Sequence, residues 1–153
     1  MIISPDQKLV DSEGRYYWTP ERAQEAWAQC RAAWEAALAS GKFSQAVVLC
    51  GLPASGKTYW IENNANETTV YFDAVLKRRL NRVYFVDTSR RAGIPLTLVW
   101  LKTPLQECLD RNERRSQDRK VPAQTIKDMH SWFAREPPSK NEGFRLLEVS
   151  EGP

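Results

Sequence analysis

Ala46-Val47-Val48-Leu49-Cys50 is an unbroken apolar run, and Leu96-Thr97-Leu98-Val99-Trp100-Leu101 is interrupted by one threonine only. Runs of this length without polar alternation mark strands covered on both faces, as in a parallel sheet. Thr69-Val70-Tyr71-Phe72, closing on Asp73, and a stretch over 144–149 add two more strands. Elsewhere apolar positions recur at helical spacing. Thr19-Pro20-Glu21 offers an N-cap, a first-position proline and a first-turn acid, and Ala23, Trp27, Cys30, Trp34 and Ala37 then share a stripe as far as Ser40-Gly41. A second helix is expected over 57–64, before a turn at Asn63, Asn64 and Asn66. A third is expected over 75–92, with Val75, Leu76, Leu80, Val83 and Val86 as its core face and Gly93 as its C-cap. Thr103-Pro104 opens a fourth to about 114, and Pro122 a fifth to about 135, where Pro137-Pro138 breaks it. Residues 1–18 show no period and read as an irregular arm. The alternation predicts an α/β sandwich with a mostly parallel sheet of about four strands. Residues 1–44 form an arm and helix ahead of a 45–153 unit, in one compact domain overall.

The length of 153 residues suits one domain with a proper core. A hydrophobic fraction of 42% and a charged fraction of 27% are ordinary for a soluble globular protein. No apolar run approaches the roughly 20 residues of a membrane span. Met1-Ile2-Ile3-Ser4-Pro5-Asp6 lacks the basic and apolar regions of a signal peptide. Cys30, Cys50 and Cys108 have no metal-like spacing and lie in apolar contexts, which predicts buried free thiols and a reducing, cytoplasmic setting. A net charge of +3 is too small to argue for a polyanionic partner, so the placement of the cations matters more.

Gly51-Leu52-Pro53-Ala54-Ser55-Gly56-Lys57-Thr58 follows the first long strand and opens a helix, and it satisfies the phosphate-binding loop pattern GxxxxGK[ST]. Gly51 and Gly56 let the backbone curl through Pro53, Ala54 and Ser55 so that successive N–H groups, proline excepted, point inward at a β-phosphate. Lys57 reaches the β- and γ-phosphates, the Thr58 hydroxyl ligates Mg²⁺, and the helix N-terminus adds partial positive charge beneath. ATP and Mg²⁺ are therefore the expected cofactors, within a phosphate-loop NTPase three-layer sandwich.

Ligands of parallel sheets collect at the C-terminal strand ends. Only 14 residues separate Thr58 from Asp73, which returns Asp73 to the same pocket. There it suits a general base toward an acceptor hydroxyl, a carboxylate holding Mg²⁺, or an N-cap for the next helix, and these roles are compatible. Lys77, Arg78, Arg79 and Arg82 cluster near the start of that helix, where cations oppose the macrodipole. Lys77, Arg78 and Arg82 are candidates for a rim receiving an anionic acceptor such as a nucleic acid strand; the alternative is a solvated face. Four arginines, Arg111, Arg114, Arg115 and Arg119, fall within nine residues across a helix end and an exposed loop. Arg111, Arg115 and Arg119 suit a lid closing over a triphosphate, since the guanidinium fork pairs with phosphate oxygens at two points.

Arg111-Asn112 with Arg114-Arg115, then Val121-Pro122, Glu136-Pro137-Pro138 and Glu142-Gly143-Phe144 resemble the 5′-kinase domain of polynucleotide kinases. The resemblance covers roughly 45–149 in the family's order: phosphate loop, Asp-ended strand, arginine lid, Pro-Pro and Glu-Gly-Phe tail. Arg115 matches a lid arginine position. The resemblance implies transfer of the ATP γ-phosphate to a hydroxyl, commonly on nucleic acid, either a strand 5′-OH or a hydroxymethylated base in DNA. It also implies two acidic strand ends after the loop, a base Asp and then an Asp in an Asp-x-Thr-Asn-like element. This chain has one, Phe72-Asp73, whose downstream spacing fits the second. Either Asp73 does both jobs, the base comes from elsewhere, or catalysis has been lost, and residues 1–44, outside the resemblance, are candidates to complete the acceptor site.

Asp87 in Val86-Asp87-Thr88-Ser89 lies within a helical pattern and is discounted. His130, the only histidine, reads as structural. Trp60 and Trp100 read as core, with Trp60 able to border a nucleotide pocket. Two rival functions follow from the same residues: a kinase of a nucleoside or other small molecule, and a nucleotide-binding module without phosphotransfer.

Overall fold

The phosphate-loop strand is the centre of the sheet in the computed structural model, which describes residues 1–150. Strand β2 (Gln45–Gly51) is flanked by β3 (Thr69–Asp73) and β4 (Leu96–Leu101). Outside these lie β1 (Ile2–Ile3), beside β3, and β5 (Arg145–Val149), beside β4. All pairings are parallel, in the order β1-β3-β2-β4-β5. The sheet therefore has one strand more than the sequence predicts, because the supposedly irregular arm begins with a strand. Ile2 pairs with Tyr71 and Ile3 with Phe72, and Tyr71 N donates to Met1 O at 2.8 Å.

Helices α1 (Pro20–Ala39), α2 (Lys57–Asn64), α3 (Arg79–Ala92), α4 (Leu105–Glu113) and α5 (Ala123–Arg135) cover the sheet. Alternate strand residues feed two cores. Val48, Cys50, Val70, Phe72 and Leu98 pack with Trp34 of α1, Phe85 of α3, Cys108 of α4 and Ile126 of α5. Leu49, Tyr71, Val99 and Leu101 pack on the other face with Ile61 of α2. Trp34 is fully buried, stands edge-on to Phe72 and Phe85, and donates its indole N–H to Thr88 Oγ1 at 2.9 Å. That bond satisfies the one polar atom the indole brings into the core. The three cysteines are buried free thiols, and burial pushes Cys50 up to about 12.

Helix α3 starts four residues later than expected, and the cause is tertiary. Gly51 N donates to Val75 O at 3.1 Å, Arg82 Nη1 to Leu76 O at 3.0 Å, and the Cys50 thiol lies 3.3 and 3.4 Å from the same two carbonyls. Those carbonyls are therefore unavailable to a helix ladder, and Leu76 takes a positive φ of 52°. The inward face of α3 is accordingly Arg82, Phe85, Val86 and Ser89, while Leu80 and Val83, expected in the core, are 70% and 41% exposed.

The chain leaves β2 toward β3 on one side and then crosses back over β2 to β4 on the other. That reversal opens a crevice at the C-terminal end of β2, the position at which open α/β sheets bind ligands.

Candidate active site

The loop 51–58 leaves β2 at that crevice and enters α2. An added Cβ on Gly51 would lie 2.8 Å from Ser55 Oγ and 3.0 Å from Leu101 O, so only glycine permits this close turn. Gly56 caps α2 with φ 102°, and Ala54 also adopts a left-handed backbone at φ 64°. A non-glycine residue held in that region is the kind of local strain that binding loops store. Pro53, just before Ala54, is half-buried. Ser55 is fully buried and its hydroxyl has no hydrogen-bond partner among the described residues. Thr103, expected to cap α4, instead turns its hydroxyl across the crevice and donates to Ser55 O at 2.6 Å, pinning the loop from the β4 side.

Lys57 Nζ donates to Gly51 O at 3.0 Å and Leu52 O at 2.9 Å, which holds the ammonium at the loop's entrance. Burial pulls its pKa below the ordinary lysine value, and the Asp73 charge works against that shift. The Thr58 hydroxyl donates to Asp73 Oδ2 at 3.3 Å. Burial pushes the Asp73 carboxyl above its ordinary value; Lys57 opposes the rise, Asp6 adds to it, and Thr58 pulls it down. Thr58 and Asp73 are thus adjacent hard oxygen donors, a set that suits Mg²⁺, and the orphaned Ser55 hydroxyl beside glycine-dependent backbone suits a phosphate cradle. Among the described residues no group of three His, Cys, Asp or Glu could hold a metal unaided. An ion at Thr58 and Asp73 would take its other ligands from phosphate oxygens and water.

The arginine segment stands over this loop. Arg111 on α4 donates to Ala54 O at 3.4 Å and pairs with Glu107. Arg115 is half-buried, close enough that its charge depresses the Lys57 pKa, and Arg119 is exposed. The base of the segment is closed by a residue that the sequence offered only as part of the resemblance, with no role of its own. Asn112 is buried, donates to Val121 O at 2.7 Å and accepts from Val121 N at 3.0 Å, so its amide replaces a pair of backbone bonds across the base of the segment. Lys120 and Glu113 face each other beside it at 3.5 Å. Tyr16 of the N-terminal arm donates its backbone N–H to Asp118 Oδ2 at 3.0 Å, tying the arm to the arginine segment.

The rim residues divide. Lys77 and Arg78 line a cleft beside Asp73, and Arg78 stacks over Trp132 with its guanidinium carbon 4.2 Å from the ring centroid. Arg82 does not reach it. Its side chain is 1% exposed, with Nε 2.9 Å and Nη2 3.3 Å from the two oxygens of Glu142, and Nη2 2.8 Å from Glu136 O. Its place in a cation cluster near the expected helix start suggested the rim, but in the folded chain its side chain turns into the protein body. It fastens the Pro-Pro and Glu-Gly-Phe tail to α3 instead, and Gly143, at φ 109° and crowded by Arg90 and Val86, makes the turn that brings Glu142 to it. His130 is exposed on α5, Asp87 exposed on α3, and Trp60 packs on the α2 core.

The N-terminal 44 residues contribute more than the sequence revealed: Asp6, Trp27 and Arg31 share the cleft with Asp73. Trp27 carried a helical-stripe signal that reads as core, and it does pack on Phe72 at 5.5 Å, but its other side faces the cleft.

A family model for an AAA domain matches residues 64–137, a span that holds Asp73 and the arginine segment and begins after the phosphate loop. Two solved structures of the AvrRxo1-ORF1:-ORF2 complex, one native and one with ATP, are similar to this chain, with TM-scores of 0.52 and 0.50 at 15% identity. The fold is that of the phosphate-loop NTPases. The matches cover 88% of this chain, which spans 65% of the length of the matched chains. No curated protein matches it. No helix among the described residues is long and apolar enough to cross a membrane.

Proposed function

We propose that the protein is an ATP-dependent kinase that transfers the γ-phosphate to a hydroxyl on nucleic acid, a strand 5′-OH or a hydroxymethylated base in DNA. The observation that supports this most is the convergence at one strand end of Lys57, Thr58 and Asp73, with the Thr58 hydroxyl 3.3 Å from the carboxylate, beneath an arginine segment bonded to the loop. A phosphate-binding loop alone needs no acid beside it or cations over it. Transfer of a phosphoryl group uses both: cations neutralise the charge that spreads over the γ-oxygens, and a carboxylate beside the loop threonine can hold the metal.

In this reading the loop backbone cradles the β-phosphate, Lys57 spans the β- and γ-phosphates, and Arg115 and Arg119 close from the lid. Thr58 and Asp73 hold Mg²⁺, which when bound neutralises the phosphate charge. Lys77 and Arg78 on the cleft rim receive an anionic acceptor, and Trp27 and Tyr84 in the same cleft offer flat apolar surface to a base. The resemblance to polynucleotide kinases and the ATP in one AvrRxo1 complex structure point the same way.

Phosphate transfer from γ-labelled ATP to an acceptor panel tests the reading, with Lys57→Ala as control. The panel holds 5′-hydroxyl DNA and RNA oligonucleotides, duplex DNA with hydroxymethyl bases, and free nucleosides. Label on a polymer, absent with Lys57→Ala and weakened steeply by salt, is the expected result. Label on nucleosides alone would replace the nucleic-acid acceptor with a small molecule, and no label on any acceptor would leave a nucleotide-binding module.

A further inference from the structure

A second carboxylate reaches this end of the sheet from a turn just after β1, in the part of the chain that precedes the phosphate loop. Strand β1 runs parallel to β3 with Ile3 level with Phe72, so both strands end at the same edge of the sheet. Phe72 is followed by Asp73; Ile3 is followed by Ser4, Pro5 and Asp6. Ile3, Ser4 and Pro5 are buried on one side of Asp6 and Leu9 is buried on the other, so this short turn is fixed to the body of the protein. Gln7 N and Lys8 N donate to Ser4 O and Pro5 O at 3.2 and 3.0 Å, which sets the turn's shape. Asp6 itself is exposed, and Tyr16 Oη donates to its Oδ1 at 3.5 Å.

Asp6 and Asp73 open into one cleft of about 710 Å³, walled by α1 through Trp27 and Arg31 and by α3 through Tyr84. The two carboxylates differ in their engagements. Asp73 is beside β2, half-buried, and accepts from Thr58, which commits it to the phosphate and metal side. Asp6 opens the turn that follows β1, the strand on the far side of β3 from β2, and in the kinase reading this is the acceptor side of the cleft. Its charge is felt at both Asp73 and Lys57, which places it within electrostatic range of the phosphate loop.

We infer that Asp6 is the catalytic base of the acceptor site, and that the N-terminal segment completes that site around an acceptor carrying a hydroxyl, a flat base and a phosphate. This rests on the kinase reading above. In the step, the acceptor oxygen forms a bond to the γ-phosphorus and its proton passes to an Asp6 carboxylate oxygen, then to water. The bond from the γ-phosphorus to the β,γ-bridging oxygen breaks, and ADP leaves with the electron pair. Asp73 and Lys57 remain on the phosphate side, and Arg31, Lys77 and Arg78 take the acceptor's own phosphate.

The test is steady-state transfer from ATP to whichever panel acceptor is labelled, comparing wild type, Asp6→Asn and Asp6→Glu, with ATP affinity measured in parallel. Asp6→Asn keeps the side chain's shape and its contact with Tyr16. Its kcat is expected to fall about 10²- to 10⁴-fold, with KM for ATP unchanged. Its residual rate should climb with pH into the alkaline range as hydroxide takes over the proton, a dependence that loosened packing would not create. Asp6→Glu should recover part of the rate. If wild type is active and Asp6→Asn retains its kcat and pH profile, the inference is overturned and the kinase reading stands. A wild-type protein that labels no acceptor overturns both.

Discussion

The Thr58 hydroxyl and the Asp73 carboxylate meet 3.3 Å apart, and that contact joins the first turn of the phosphate-loop helix to the end of the neighbouring strand. It also fixes Asp73 where burial works against its charge. The arrangement is one that binding demands and apo stability does not.

Replacing Asp73 by Asn should therefore leave the ligand-free protein as stable as wild type or more so at neutral pH. The folded-state carboxyl titrates above its ordinary value near 3.8. Its favourable contribution is complete below that value and is lost as pH rises through the raised one. The advantage of Asp73→Asn should thus open above about pH 4 and level off by neutral pH. Thermal unfolding of both proteins across pH 3.5–8 measures this, and a lower Tm for the variant at pH 7 would contradict it. The stabilisation of wild type by Mg·ATP should shrink sharply in the variant.

Arg82 and Glu142 form a buried, two-pronged ion pair, 1% and 3% exposed. Deleting one partner leaves an uncompensated charge inside the protein. Arg82→Ala should cost about 3–5 kcal/mol in denaturant unfolding, far more than Arg79→Ala on the exposed first turn of the same helix. Equal losses would mean that Arg82 does not hold the tail.

Asn112 closes the lid stem through two bonds to Val121. Asn112→Ala leaves a partly buried backbone N–H and C=O without their Asn112 partner, at about 1–3 kcal/mol. Trypsin should cut at Arg114, Arg115 and Arg119 faster in this variant than in wild type, with ATP slowing cleavage in wild type. Unchanged cleavage would show that the stem is held by other contacts.

Gly51 tolerates no Cβ, because Leu101 O belongs to the backbone of the adjacent strand and cannot step aside. Gly51→Ala should displace the start of the loop, costing about 1–3 kcal/mol of stability and at least about tenfold in ATP affinity. Affinity equal to wild type would show that the loop tolerates the displacement.

Legibility followed burial and sequence distance. β2, β4 and the phosphate loop were readable because long two-sided apolar strands and fixed-spacing glycines leave an unambiguous local signal. The arginine segment was readable as a charge cluster in an otherwise mixed chain, and the fold brings Arg111 of it onto the loop. Strand β1 was not, since Ile2–Ile3 is too short to show a period and its partner, β3, lies nearly 70 residues away. Asp6 was hidden with it. The start of α3 was misjudged because Val75 and Leu76 look helical until Gly51, Cys50 and Arg82 claim their carbonyls. Arg82 was then read as a rim cation, when only the fold reveals Glu142 opposite it.

Calorimetric titration of Mg·ATP into wild type and Lys57→Ala tests the central claim most directly, that residues 51–58 hold the triphosphate. The account predicts one site per chain, weakened at least about tenfold in Lys57→Ala by the loss of charge-assisted hydrogen bonds worth about 1.5–3 kcal/mol. Equal affinity in the two proteins, or no binding to wild type, would contradict it.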